Sequence, residues 1–66
     1  MTVVANGTPT ELPPGATLSD LLDALGLGVT WVVAECNGEA VPRAAMATTT
    51  LSDGDRIELV RAVAGG

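Results

Sequence analysis

The chain has 66 residues, 47% of them hydrophobic, and sets eight acids against three arginines, with no lysine, for a formal charge of −5. Phosphate neutralisation needs a basic face, so this balance excludes nucleic-acid binding and instead suits solubility and docking to a basic partner surface. Without histidine and with a single cysteine, Cys36, there is no internal disulfide, no good zinc or copper ligand set and no His-based acid–base pair.

Thr2-Val3-Val4-Ala5 reads as a short strand, and Asn6-Gly7 follows it. Asn-Gly between extended segments predicts a type I′ hairpin turn, whose two central residues need φ > 0. Thr8 to Leu12 is the returning strand, and Pro9 places it at a sheet edge because proline cannot donate to a ladder. Pro13-Pro14-Gly15 closes this unit. Leu18, Leu21, Leu22 and Leu25 then recur at i, i+3, i+4 and i+7, which predicts a helix from Thr17 to about Leu25 with a leucine stripe facing the core. Thr17 and Asp20 have the spacing of a capping box, and Gly26 or Gly28 supplies the C-terminal stop.

Trp31 to Cys36 is the next strand, Asn37-Gly38 a second turn of the same type, and Glu39-Ala40-Val41 a brief return before Pro42-Arg43. Ala44 to Thr50 carries little pattern and reads as a loop with a helical turn; Asp53-Gly54-Asp55 is a tight turn. The last strand runs from Arg56 to Val63. Ile57 and Leu59 fall on one face, Arg56, Glu58 and Val60 on the other. Strands split by one amphipathic helix give an α+β domain with the helix across one sheet face, and the first and last strands can pair in parallel. The whole chain, residues 1–66, reads as one domain.

A chain this short buries only about 60% of the surface its unfolded form exposes, which argues for a carrier or binding module over a self-sufficient enzyme. There is no signal peptide, and no apolar run approaches the ~20 residues of a membrane span, so no membrane partner and a cytoplasmic, reducing compartment are expected. Gly26-Leu27-Gly28 is a helix stop and not a phosphate cradle.

The most informative stretch is the ending, Val63-Ala64-Gly65-Gly66, directly after a patterned strand. Glycine has no Cβ, so Ala64, Gly65 and Gly66 predict a thin, flexible tail that can slide an α-carboxylate into a narrow channel of another protein. Three residues past Val63 extend about 10 Å at most. A plain linker would look the same in composition. Alternation turns Val60 outward at the root of this tail; it is either an isolated exposed valine or part of a partner-facing patch with Arg56, Glu58 and Ala62. Arg61 falls on the inward phase, close enough to the sheet's end to reach water along its stem or to meet a partner.

Asn6-Gly7, the helix start Thr17-Leu18-Ser19-Asp20-Leu21-Leu22, Asn37-Gly38-Glu39 with Val41-Pro42-Arg43, Asp53-Gly54-Asp55 and the final Gly65-Gly66 occur in this order. Over essentially its whole length the chain resembles the ThiS family of sulfur carriers in thiamin biosynthesis. Cys36 and Trp31 lie outside the family's pattern, and Cys36 reads as a structural thiol. The resemblance implies a ubiquitin-like β-grasp with a mixed sheet, and a protein acted upon and not itself an enzyme. It implies that a ThiF-type, E1-like enzyme adenylates the Gly66 carboxylate with ATP and magnesium. Sulfur derived from cysteine by a donor system then displaces the adenylate, and the thiazole synthase ThiG takes it from the resulting thiocarboxylate. Nucleotide and metal are the partner's, and no cofactor or metal is expected on this chain. Alternatives are a MoaD-like carrier for molybdopterin, which tends to be longer with aromatic residues before the tail, a carrier for another sulfur pathway, and a β-grasp binding module with an inert diglycine.

Overall fold

A computed structural model describes residues 1–28 and 32–61. Five strands and one α-helix follow in the order β1 (Thr2–Ala5), β2 (Thr8–Glu11), α1 (Leu18–Ala24), β3 (Val32–Cys36), β4 (Glu39–Val41) and β5 (Arg56–Arg61), with a 3₁₀ turn at Arg43–Ala45 between the last two. The strands form one mixed sheet in the order β2-β1-β5-β3-β4. The terminal strands β1 and β5 lie side by side in parallel, Val4 against Arg56 and Ala5 against Ile57, while the other pairs are antiparallel. A mixed sheet with one helix across it is the β-grasp architecture that the family resemblance implies, and it bears out the α+β domain expected from the element order.

The local chemistry explains the corners. Asn6 and Asn37 sit at φ 49° and 52°, each followed by a glycine at φ 80° and 86°, so both hairpins turn through the left-handed region that asparagine and glycine tolerate. Pro9 lies on β2, at the sheet edge, where its missing N–H costs nothing. Thr17 caps α1: its side chain accepts from the Asp20 N–H at 3.2 Å, and the Asp20 carboxylate accepts from the Thr17 N–H at 2.8 Å. Gly26, at φ 72°, ends the helix, with its N–H bonded to the Asp23 carbonyl and the Leu27 N–H to that of Leu22. This paired closure turns Leu27 back to pack against the core.

That closure corrects one expectation. Leu18, Leu21 and Leu22 are fully buried, but Leu25 is 42% exposed. The helix stops before it, leaving Leu25 as the C-cap residue, and Leu27 packs against the core instead. The core beneath α1 draws on Val3 and Ala5 of β1, Val32 and Ala34 of β3, and Ile57 and Leu59 of β5, closed by Leu12, Ala16, Met46 and Leu51 from the connections. Met46 is buried to 1% in a stretch whose sequence carries little pattern. Leu51 and Leu18 are held near each other by bonds from the Leu18 N–H to the Thr49 carbonyl and from the Leu51 N–H to the Ala16 carbonyl, each 2.9 Å. The described part of the last strand ends at Arg61, so its expected continuation to Val63, like Trp31 in the preceding strand, lies outside the described residues.

Candidate partner-docking face

β5 is the element on which the expected site converges. Its burial alternates as the sequence predicts: Ile57 and Leu59 are buried under the helix, while Arg56, Glu58 and Val60 are exposed on the opposite face. Val60 is 63% exposed, and directly across β3 stands Val33, 55% exposed, so the two form a cross-strand apolar pair. The next pair along, Glu35 and Glu58, sets two exposed carboxylates opposite each other. Arg56 lies at the β5 start, abreast of the half-buried Val4. The open face is therefore a strip that runs from Arg56 through two acids to two valines.

Like charges directly across a sheet destabilise it, so the Glu35–Glu58 pair opposes folding. A pair of opposed carboxylates beside exposed aliphatic groups is a surface that a cationic partner would complement. Sequence reasoning singled out Arg56, Glu58 and Val60, and the structure places all three on this face. It did not find Val33 or Glu35. Alternation in Val32–Cys36 does put both on the outward phase, but only the register between β3 and β5 shows that they flank Val60 and Glu58. Ala62, Ala64, Gly65 and Gly66 lie outside the described residues.

Arg61 follows Val60 on the inward phase and is nevertheless exposed. Its side chain borders a shallow cleft of about 180 Å³ together with Gly26, Leu27, Gly28 and Val32. Gly26, which stops the helix, thus borders the same cleft as Arg61 at the end of the described strand. Cys36, half-buried at the far end of β3, is a free thiol. Burial pushes its pKa up, and the nearby carboxylates of Asp55 and Glu39 push it further the same way. It is a poorly ionised sulfur and so a poor nucleophile near neutral pH. Among the described residues no group of three or more Cys, Asp or Glu side chains could hold a metal ion, and none of the buried side chains is polar or charged. No helix among them is long and apolar enough to cross a membrane.

Comparison with known proteins gives this surface a family. The crystal structure of the thiamine biosynthesis protein ThiS from Geobacter metallireducens superposes with a TM-score of 0.83 at 33% identity, covering 100% of both chains. An NMR solution structure of a thiamine biosynthesis protein from the same organism gives 0.79 at 33% identity, covering 100% of this chain and 88% of that one. A thiazole synthase of Paramagnetospirillum magneticum is 35% identical over 66 residues, all of this chain but only 20% of that protein's length. Residues 3–66 match the ThiS family, and the chain belongs to it.

Proposed function

We propose that this protein is a sulfur carrier of thiamin biosynthesis, working in the cytoplasm as one carrier domain of residues 1–66, whose Gly66 α-carboxyl group is the site of chemistry. The observation that carries this reading is the family match through residue 66, joined to a strand that displays an apolar and charged strip at the root of the tail. A free α-carboxylate has a pKa of about 3.5 and is ionised at neutral pH, but it is inert toward acyl transfer until activated. In the proposed sequence a carboxylate oxygen of Gly66 attacks the α-phosphorus of ATP held with magnesium by a ThiF-type enzyme, and pyrophosphate leaves. Hydrosulfide derived from cysteine then adds to the acyl carbon, the bond to the AMP oxygen breaks and AMP leaves, giving the thiocarboxylate. The kinship with part of a thiazole synthase supports that class of enzyme, ThiG in this family, as the acceptor of the sulfur. The chain itself supplies docking and a thin tail; it is the co-substrate and not the catalyst.

Incubation with the adenylating enzyme, ATP and a sulfur donor should exchange one oxygen of the terminus for sulfur, read by intact mass. No exchange with any such enzyme of the same organism would sink the proposal. Gly65→Ala sharpens it. A Cβ there restricts φ and crowds the partner's channel, so adenylation should slow while the fold persists; equal rates would show that thinness is not required.

A further inference from the structure

The two Asn-Gly turns share a backbone conformation, yet each uses its asparagine side chain to hold a different end of β5. The Asn37 Oδ1 accepts from the Arg56 N–H at 2.9 Å, and its Nδ2 donates to Asp55 Oδ1 at 3.0 Å, which ties the strand where it begins. The Asn6 Oδ1 accepts from the Leu59 N–H at 2.7 Å, and its Nδ2 donates to the Leu59 carbonyl at 3.1 Å, across 53 residues of sequence. The position of that second clip in the ladder matters. The Val4 N–H donates to the Asp55 carbonyl and the Asn6 N–H to that of Ile57, after which β1 turns away into its hairpin. Leu59 presents the next peptide groups on that side. The Asn6 carboxamide, which carries the same donor and acceptor as a peptide unit, takes both of them and extends the parallel ladder by one rung without backbone. Beyond it, among the described residues, Val60 and Arg61 have register partners on β3, Val33 and Val32.

We propose that Asn6 is a positioning residue for activation of the chain's terminal carboxylate. Its carboxamide pins β5 at Leu59, the last buried residue of the strand, and so holds the heading of the strand as it reaches Arg61. This deepens the carrier reading and rests on it. A tail that must bring one carboxylate to one phosphorus is sensitive to the heading of the strand behind it, and a misplacement of about 1 Å can cost on the order of a hundredfold in rate.

Asn6→Gly is the cleanest probe, because glycine keeps the left-handed turn and removes only the carboxamide. Asn37→Gly is its internal control, identical in turn chemistry but at the other end of β5. With the adenylating enzyme and ATP, pyrophosphate release at saturating Asn6→Gly should fall about tenfold while KM stays within about twofold, since the docking face is untouched. Asn37→Gly should leave release unchanged at a similar loss of thermal stability. Amide hydrogen exchange should accelerate at Leu59 and Val60 in Asn6→Gly while Ile57 stays protected. If Asn6→Gly does not fold, Asn6→Asp, which keeps the acceptor and loses the donor to the Leu59 carbonyl, takes its place with the same expected direction. Equal turnover in the two turn variants, or a loss confined to KM, overturns the assignment alone. A wild-type chain that no adenylating enzyme activates overturns the carrier reading and this assignment with it; unchanged exchange at Leu59 would show that the clip does not hold the strand.

Discussion

The two faces of the sheet are built by the same strands and answer to different demands. Under the helix, Val3, Ala5, Val32, Ala34, Ile57 and Leu59 are all at most 8% exposed, and every one is aliphatic. On the other face the alternate residues of β3 and β5 are two exposed valines and two opposed glutamates, with Arg56 at the edge. The covered face is optimised for folding. The open face leaves aliphatic groups in water and like charges side by side, both of which cost stability in the free protein. Natural proteins hold just enough stability for function, so a surface that sacrifices some of it points to use.

The sharpest way to break this comparison is to truncate neighbours in one strand. Ile57→Ala should lower the unfolding free energy by roughly 2–5 kcal/mol, because it empties a fully buried site in a small core. Glu58→Ala, one residue on, should change it by no more than about 0.5 kcal/mol in either direction. Urea denaturation of both variants checks the contrast; comparable losses would mean that the two faces are not energetically distinct.

Val60→Asp comes next. Val60 is 63% exposed, so the midpoint of unfolding should barely move. Affinity for the adenylating enzyme should fall by about 1–2 kcal/mol, the worth of one desolvated aliphatic contact. Calorimetric titration measures it. An undiminished affinity would remove this face from the docking surface. Val33→Asp should behave alike, since the two valines are cross-strand partners.

How much of this was legible in the sequence depends on whether the cause is local. The hairpins at Asn6-Gly7 and Asn37-Gly38, the Thr17–Asp20 cap, a glycine stop at Gly26 or Gly28 and the alternation through Arg56–Val60 are set by residues within a few positions of one another, and all are readable. The parallel pairing of the first and last strands is one arrangement the element order allows, and only the structure fixes it. What escaped were consequences of register. Nothing in the local sequence says that Val33 meets Val60 or that Glu35 meets Glu58. The clip from Asn6 to Leu59 joins positions 53 apart. Leu25 departs from the expected core because periodicity alone does not see where the helix is cut, and no pattern marks Met46, whose burial comes from the loop's path and not from any repeat.

Glu35→Gln tests the open face with the opposite sign. Removing one of the paired carboxylates should stabilise the free protein by a few tenths of a kcal/mol, up to about 1. The same change should weaken binding to a basic partner surface, an effect that fades as salt rises and screens both charges. Thermal melts and titrations at two ionic strengths separate the terms. Stability and affinity moving together would mean that the acid pair serves the fold after all.

The smallest expected effect lies at Cys36, on the inward phase of β3 but only half-buried. Its thiol pKa is raised by burial and then by Asp55 and Glu39, so the folded protein holds this proton more tightly than the unfolded chain does. For an acid with a raised folded pKa the sign is fixed: stability is unaffected at neutral pH and declines as pH rises past the unfolded value of about 8.5. The chain makes this unusually easy to read. It has no histidine, tyrosine or lysine, so Cys36 is the one side chain that titrates between neutrality and pH of about 10. Cys36→Ala should therefore flatten the alkaline decline in unfolding free energy seen in the wild type, and alkylation of the native thiol should run slower than that of the urea-unfolded chain at the same pH. A decline of equal slope in the variant would place its origin outside the thiol and leave Cys36 as packing alone.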